Sequence, residues 1–100
     1  MRACRRDRNH REIIEVFESL GWSVLDIADL KNAFDILVAK CGHTMAIEIK
    51  DGLKPPSARN LTTGEEAFRS RWLGNYKIVT CEDDVHEINN LFDYQSKPHN

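Results

Sequence analysis

Between Thr44 and Lys50 apolar and polar residues alternate, and a period of two is the signature of a strand with two unlike faces. Met45, Ile47 and Ile49 then share one face, while Thr44, Ala46, Glu48 and Lys50 share the other. A glutamate in mid-strand is unusual, since Glu is depleted there. Ten residues or so upstream, Phe34-Asp35-Ile36-Leu37-Val38 opens an otherwise apolar strand with a carboxylate whose desolvation something must offset. Set side by side, these strands bring two acids and a lysine to one edge of a sheet. Carboxylate oxygens are the hard ligands that Mg²⁺ takes, and a cation with a nearby ammonium answers charge that builds on phosphate oxygens. The pattern suggests phosphodiester hydrolysis. Taken singly, each residue has a plainer reading: Asp35 as a turn residue, Glu48 and Lys50 as an exposed ladder on a wet sheet face.

Around these strands the pattern spells out a small domain. Ile13, Val16, Phe17 and Leu20 recur at helical spacing from about Asn9 to Leu20, and Gly21 supplies a stop. Trp22 to Ile27, Asp35 to Ala39 and Thr44 to Lys50 read as three strands, with Cys41-Gly42 turning between the last two. The prolines of Lys54-Pro55-Pro56-Ser57-Ala58-Arg59 predict an irregular loop. Thr62 and Thr63, each three residues ahead of a glutamate, offer a capping box for a second helix carrying Phe68 and Trp72 on one face. Gly74 ends that helix, and Tyr76 to Cys81 is a fourth strand. A last helix begins at Asp83 or Asp84 with Val85, Ile88 and Leu91 inward. The tail from Tyr94 and the leader 1–7 read as flexible.

With 100 residues the chain makes one domain, residues 1–100, marginal enough alone that a homodimer is expected, with Trp72 and Tyr76 as exposed aromatics to cover. Hydrophobic residues are 41% and charged residues 30%, and no apolar run reaches the length of a membrane span. No signal peptide is read at the basic N-terminus, so a cytoplasmic, membrane-free protein is expected. Three cysteines without paired spacing predict reduced thiols rather than disulfides, and Cys41-x-His43 lacks the second pair that a zinc site needs. Net charge is −2, yet Arg2, Arg5, Arg6, Arg8 and Arg11 crowd the first helix and its leader. That basic end either grips phosphates or is solvated surface. Glu12 shares the inward stripe of the first helix; the helix dipole favours an acid there, or it aims at the same sheet end as Asp35.

These residues resemble the PD-(D/E)XK nuclease superfamily, and within it the small VRR-NUC-like nucleases of phages and their hosts. The likeness covers roughly Arg6 to Leu91: the helix acid in Asn9-His10-Arg11-Glu12, the strand opened by Asp35, Glu48-Ile49-Lys50, and the loop Asp51 to Arg59 with Leu61-Thr62. It implies a restriction-endonuclease-like αβββαβ core, an α/β fold whose small central mixed sheet is flanked by helices, with a C-terminal helix appended. It also implies a Mg²⁺ or Mn²⁺ ion held by Asp35, Glu48 and the main-chain carbonyl of Ile49. By the same likeness Lys50 would orient or polarise the attacking water and stabilise the phosphate, and Glu12 would complete or support the metal site. Two positions depart from the family pattern. Lys31-Asn32-Ala33-Phe34 lacks the glycine usual before the aspartate, and Glu65 or Glu66 stands where relatives carry Gln.

The expected activity is a metal-dependent endonuclease acting on DNA through activated water, on branched DNA such as a four-way junction by likeness to the Holliday junction resolvases. Arg8, Arg11, Lys54, Ser57 and Arg59 are the expected DNA contacts. The alternative is a catalytically inactive nucleic-acid-binding or structural protein of the same fold. Metal dependence separates the two. No glycine-rich phosphate loop or nucleophile triad points to small-molecule chemistry.

Overall fold

Residues 8–30 and 33–96 are described by the computed structural model, with the side chains of all but Ala58 and residues 93–96. The leader with Arg2, Arg5 and Arg6, residues Lys31 and Asn32, and residues 97–100 lie outside the described residues. The chain runs through α1 (His10–Ser19), β1 (Ser23–Asp26), β2 (Ile36–Lys40), β3 (His43–Ile49), a 3₁₀ turn (Pro56–Arg59), α2 (Thr63–Arg71), β4 (Asn75–Val79) and α3 (Glu82–Ser96). The four strands form one sheet in the order β1-β2-β3-β4. Pairing is antiparallel from β1 to β3 and parallel between β3 and β4. The result is a small α/β fold with a mixed sheet. A parallel partner needs a crossover rather than a tight turn, and α2 supplies it.

The hairpin joining β2 and β3 is closed by the pair Lys40–His43, leaving Cys41 and Gly42 as a two-residue turn. Both have positive φ, 53° and 81°, as the primed hairpin turns require, and Cys41 accepts a backbone that few non-glycine residues adopt. Lys40 then reaches back, its Nζ donating to the Leu20 carbonyl at 2.7 Å and to Asn89 at 2.8 Å. This satisfies a carbonyl left open at the end of α1 and ties that helix to α3.

One sheet face, with Ile36, Val38, Met45, Ile47, Ile49 and Val79, packs against Ile13, Ile14 and Phe17 of α1 and Val85, Ile88 and Phe92 of α3. Trp22 stands edge-on to both Phe17 and Phe92, with ring centroids 5.7 and 5.8 Å away, and its indole N–H donates to Asn89 at 3.0 Å. Such a pairing keeps the indole's polar edge satisfied inside the core. Leu91, expected inward, is 48% exposed, and Phe92 fills the place instead because it lies one residue further round the helix. The segment Tyr94–Ser96, expected as an irregular tail, continues α3, which begins one residue earlier than expected at Glu82. Pro56–Arg59, expected as irregular, forms a 3₁₀ turn with proline in its first positions, where no N–H is needed.

On the opposite face Ala46 and Glu48 are also buried, so the sheet is covered on both sides where the acids lie. The cover is α2, which itself buries no residue. Its start is the expected capping box: Thr62 Oγ1 accepts from the Glu65 N–H at 3.2 Å, and Glu65 Oε1 accepts from the Thr62 N–H at 2.9 Å.

Candidate active site

The paired register of β2 and β3 ends at Ile36–Ile47, so Asp35, expected as the first residue of its strand, stands just outside β2, with its carboxyl beside that of Glu48. Two hydrogen bonds fix Asp35 there: its N–H donates to the Ile47 carbonyl at 3.0 Å, and its Oδ2 accepts from the Ile49 N–H at 2.7 Å. Lys50, two residues past Glu48 on the same face, places Nζ 3.8 Å from Glu48 and 2.8 Å from Glu65. The shared face that alternation predicts for Glu48 and Lys50 is found, and Asp35 joins them from beside β2. Glu65 joins them from α2, held by its own capping bond.

Glu48 is 4% exposed. Burial, first, and then the adjoining carboxylates of Asp35 and Glu65 push its pKa up to about 10, so it carries a proton at neutral pH. For Glu65 burial works upward as well, but hydrogen bonds from Lys50, the Thr62 main chain and the Glu48 carboxyl outweigh it and hold Glu65 below the usual range. The cluster therefore divides its charge: a protonated Glu48 donates toward its neighbours while Glu65 stays ionised against Lys50.

Beneath α2 lies a residue that the sequence reading missed. Tyr76 pairs with Ala46 across β3 and β4 and so shares the face of Glu48. Expected as exposed, it is half-buried, and its hydroxyl is enclosed without a hydrogen-bond partner. Burial and then the charges of Glu48 and Glu65 hold the phenol above its ordinary range. No local pattern marks it, since β4 reads as a plain strand of β-forming residues.

Glu12 is a correction. The buried stripe of α1 is His10, Ile13, Ile14 and Phe17, and Glu12, expected on the inward stripe, is exposed. It lines a cavity of about 700 Å³ with Arg8, Asn9, Asp51, Arg59 and Glu82. The helix carboxylate found beside Glu48 and Lys50 is Glu65.

The strand end that carries the site is pinned from α1. Asn9 donates to the Lys50 and Thr80 carbonyls at 3.3 and 3.0 Å, joining the ends of β3 and β4. Asp51 is buried, accepting from Arg8 Nε at 2.8 Å and from the Leu53 N–H at 2.9 Å. The Leu53 N–H, against an opposing rise from burial and with help from Arg8 and Lys54, holds its carboxyl below the ordinary range. Gly52 then passes so close to β4 that an added Cβ would stand 2.8 Å from the Thr80 carbonyl oxygen, so this position has to be glycine.

Of the expected DNA contacts, Arg8 is 68% exposed but commits its Nε to Asp51. Arg11, Lys54 and Ser57 are exposed. Arg59 is half-buried with its Nε lacking a partner, and it lines both the cavity shared with Arg8 and a second of about 770 Å³ beside Thr62, Glu66 and Arg69. Asp35, Glu48 and Lys50 line neither cavity, which fits their enclosure under α2.

Among the described residues no three His, Cys, Asp or Glu side chains form a ready-made metal cage. Asp35 and Glu48 are two crowded carboxylates, oxygen donors of the kind that Mg²⁺ and Mn²⁺ take. Carboxylates pressed together until one must hold a proton are the situation that a divalent cation relieves. No protein-family model, curated protein or solved structure matches this chain. In the described residues no helix is long and apolar enough to cross a membrane.

Proposed function

We propose that this chain is a Mg²⁺- or Mn²⁺-dependent nuclease of the PD-(D/E)XK superfamily that hydrolyses phosphodiester bonds in DNA. The observation that carries the reading is the clustering of three side chains: the Asp35 carboxyl, held by the Ile49 N–H, lies beside Glu48, and the Lys50 Nζ is 3.8 Å from the Glu48 carboxyl. Asp35, Glu48 and the Ile49 carbonyl would hold the ion, which supplies Lewis-acid stabilisation and lowers the pKa of bound water. The chain's own part is positioning and charge. Lys50 presents an ammonium to the anionic phosphate and stabilises the charge that develops on it. Glu65 holds that ammonium in place before substrate arrives, and burial of the cluster under α2 strengthens each of these electrostatic contacts.

A second reading is a nucleic-acid-binding protein of the same fold without chemistry. It is favoured by the close Lys50–Glu65 pair, 2.8 Å, which occupies the lysine. One experiment separates the two: purified chain and its Asp35→Asn variant are incubated with duplex, single-stranded, flapped and four-way DNA, with and without Mn²⁺. The nuclease reading expects metal-dependent cutting by the native chain alone. Binding without cutting under every condition leaves the second reading. The same panel reports whether branched DNA is preferred, and light scattering reads whether the chain acts as the homodimer that symmetric cutting of a four-way junction calls for.

A further inference from the structure

Glu48 is buried and the Lys50 side chain is only 12% exposed, so a DNA phosphate has no direct path to either while α2 lies over them. The α2 residue that engages them is Glu65. Its Oε1 accepts from the Lys50 ammonium at 2.8 Å and from the Thr62 N–H at 2.9 Å, so one oxygen serves both the site and the cap of the helix. Past Glu65 the attachments are Phe68 and Trp72, whose ring centroids lie 5.5 and 5.7 Å from that of Phe34, and Arg69, whose guanidinium sits 5.9 Å from the Tyr76 ring centre. No residue of α2 is buried in making these contacts. Beneath the helix the Tyr76 hydroxyl is enclosed without a hydrogen-bond partner, a polar group that this closed arrangement leaves unsatisfied.

A carboxylate on a lysine ammonium offers the same chemistry as a phosphodiester, an anionic oxygen accepting a charge-assisted hydrogen bond. We infer that Glu65 is an autoinhibitory stand-in for the scissile phosphate, occupying Lys50 and latching α2 over Asp35 and Glu48 until a DNA phosphate takes its place. The inference rests on the nuclease reading and adds a closed state to it. A phosphate has to displace Glu65 rather than join it, because two anions on one ammonium repel each other strongly in a buried site. Release leaves the helix intact. Glu65 keeps its bond to the Thr62 N–H, so α2 swings off the sheet at its N-terminal end while the ring contacts of Phe68 and Trp72 with Phe34 act as the pivot. A segment held by one ion pair and unburied rings belongs to the low-stability end of a fold, from which lids are drawn.

Glu65→Gln isolates the latch, because glutamine there still accepts from the Thr62 N–H as a capping box requires but brings no charge to Lys50. Glu66→Gln makes the same change of net charge one residue along, on an exposed side chain paired with Arg69. For the full-length native chain and both variants, amide exchange is measured without metal or DNA, and binding of a short fluorescent duplex is measured in Ca²⁺ buffer. The expected result for Glu65→Gln is faster exchange in α2 and DNA binding about 10-fold tighter, with Glu66→Gln close to native in both. In the native chain the duplex itself should speed exchange in α2, and that measurement decides the matter should Glu65→Gln fail to fold. Unchanged α2 exchange in Glu65→Gln, DNA binding that is unchanged or weaker, or an equal gain in Glu66→Gln overturns the inference. Faster exchange and tighter binding with no cutting in Mn²⁺ by any of the three keeps the latch and removes the nuclease reading; cutting by the native chain with α2 exchange unchanged in Glu65→Gln does the reverse.

Discussion

Glu48 carries a proton that its unfolded counterpart has lost at neutral pH, and this has a direct consequence for stability. Its folded pKa is raised from 4.5 to about 10, by burial first and then by Asp35 and Glu65. Between those values the folded chain binds more protons than the unfolded one, so its stability falls as pH rises from about 4.5 toward about 10. Replacing the acid by its neutral isostere, Glu48→Gln, should therefore raise the metal-free melting temperature at pH 8 and flatten its decline with pH. Superimposable melting curves for the two proteins across that range would refute the burial account. Lys50 has the opposite role, as a charge kept for substrate. Lys50→Ala should lower the cleavage rate at saturating Mn²⁺ by about 10²-fold, the scale of one lost electrostatic contact in a transition state. Metal affinity should persist, and a calorimetric titration showing it gone with the rate intact would make Lys50 structural. At this scale the sequence was readable where period decides orientation. The shared face of Glu48 and Lys50 follows from alternation, whereas Glu12, expected inward, is exposed because the buried stripe runs through His10, Ile13, Ile14 and Phe17. Tyr76 was hidden because enclosure of its hydroxyl depends on a helix elsewhere in the chain.

The elements differ sharply in how they are held. Helices α1 and α3 share the core with the sheet, while α2 lies over the site through surface aromatics, the Lys50–Glu65 pair and its cap. An element held by so few buried contacts opens locally before the molecule unfolds. Thr62→Ala removes a cap worth about 1 kcal/mol, and the loss should appear as faster amide exchange confined to α2, with the global melting temperature barely moved. Exchange that accelerated equally in α1 and α3 would show α2 to be part of the cooperative core. Both the existence of α2 and its capping box are legible from Thr62-x-x-Glu65, because caps are local. What a capping glutamate touches beyond its helix is not local, and the Lys50 contact to Glu65 could not be read. The same limit explains the 3₁₀ turn at Pro56–Arg59: proline pairs forbid an interior hydrogen-bonding position but leave the first turn open. In α3 the choice between Leu91 and Phe92 depends on which residue reaches Trp22, a tertiary fact.

For the whole molecule the order of elements, helix, three strands, helix, strand, helix, was legible because each has its own period and punctuation. How the charges are deployed across it was less so. Arg8 lies in the cavity with Arg59 as its position in the chain suggests, but its Nε is taken by Asp51, leaving Arg59 as the half-buried cation whose Nε lacks a partner. Arg59→Gln should weaken DNA binding alike for all sequences and reduce the log-log salt slope by about 1. An unaltered slope in Ca²⁺ buffer would place the phosphate path elsewhere. A metal site formed by Asp35 and Glu48 is tested most directly by calorimetric titration of Mn²⁺ into the full chain, repeated in two buffers of different ionisation enthalpy at pH 7. The predicted result is saturable binding that releases a proton from Glu48 and is lost in Asp35→Ala and in Glu48→Gln, both still folded. Mn²⁺ binding that survives in both variants, or no binding by the native chain, would contradict it.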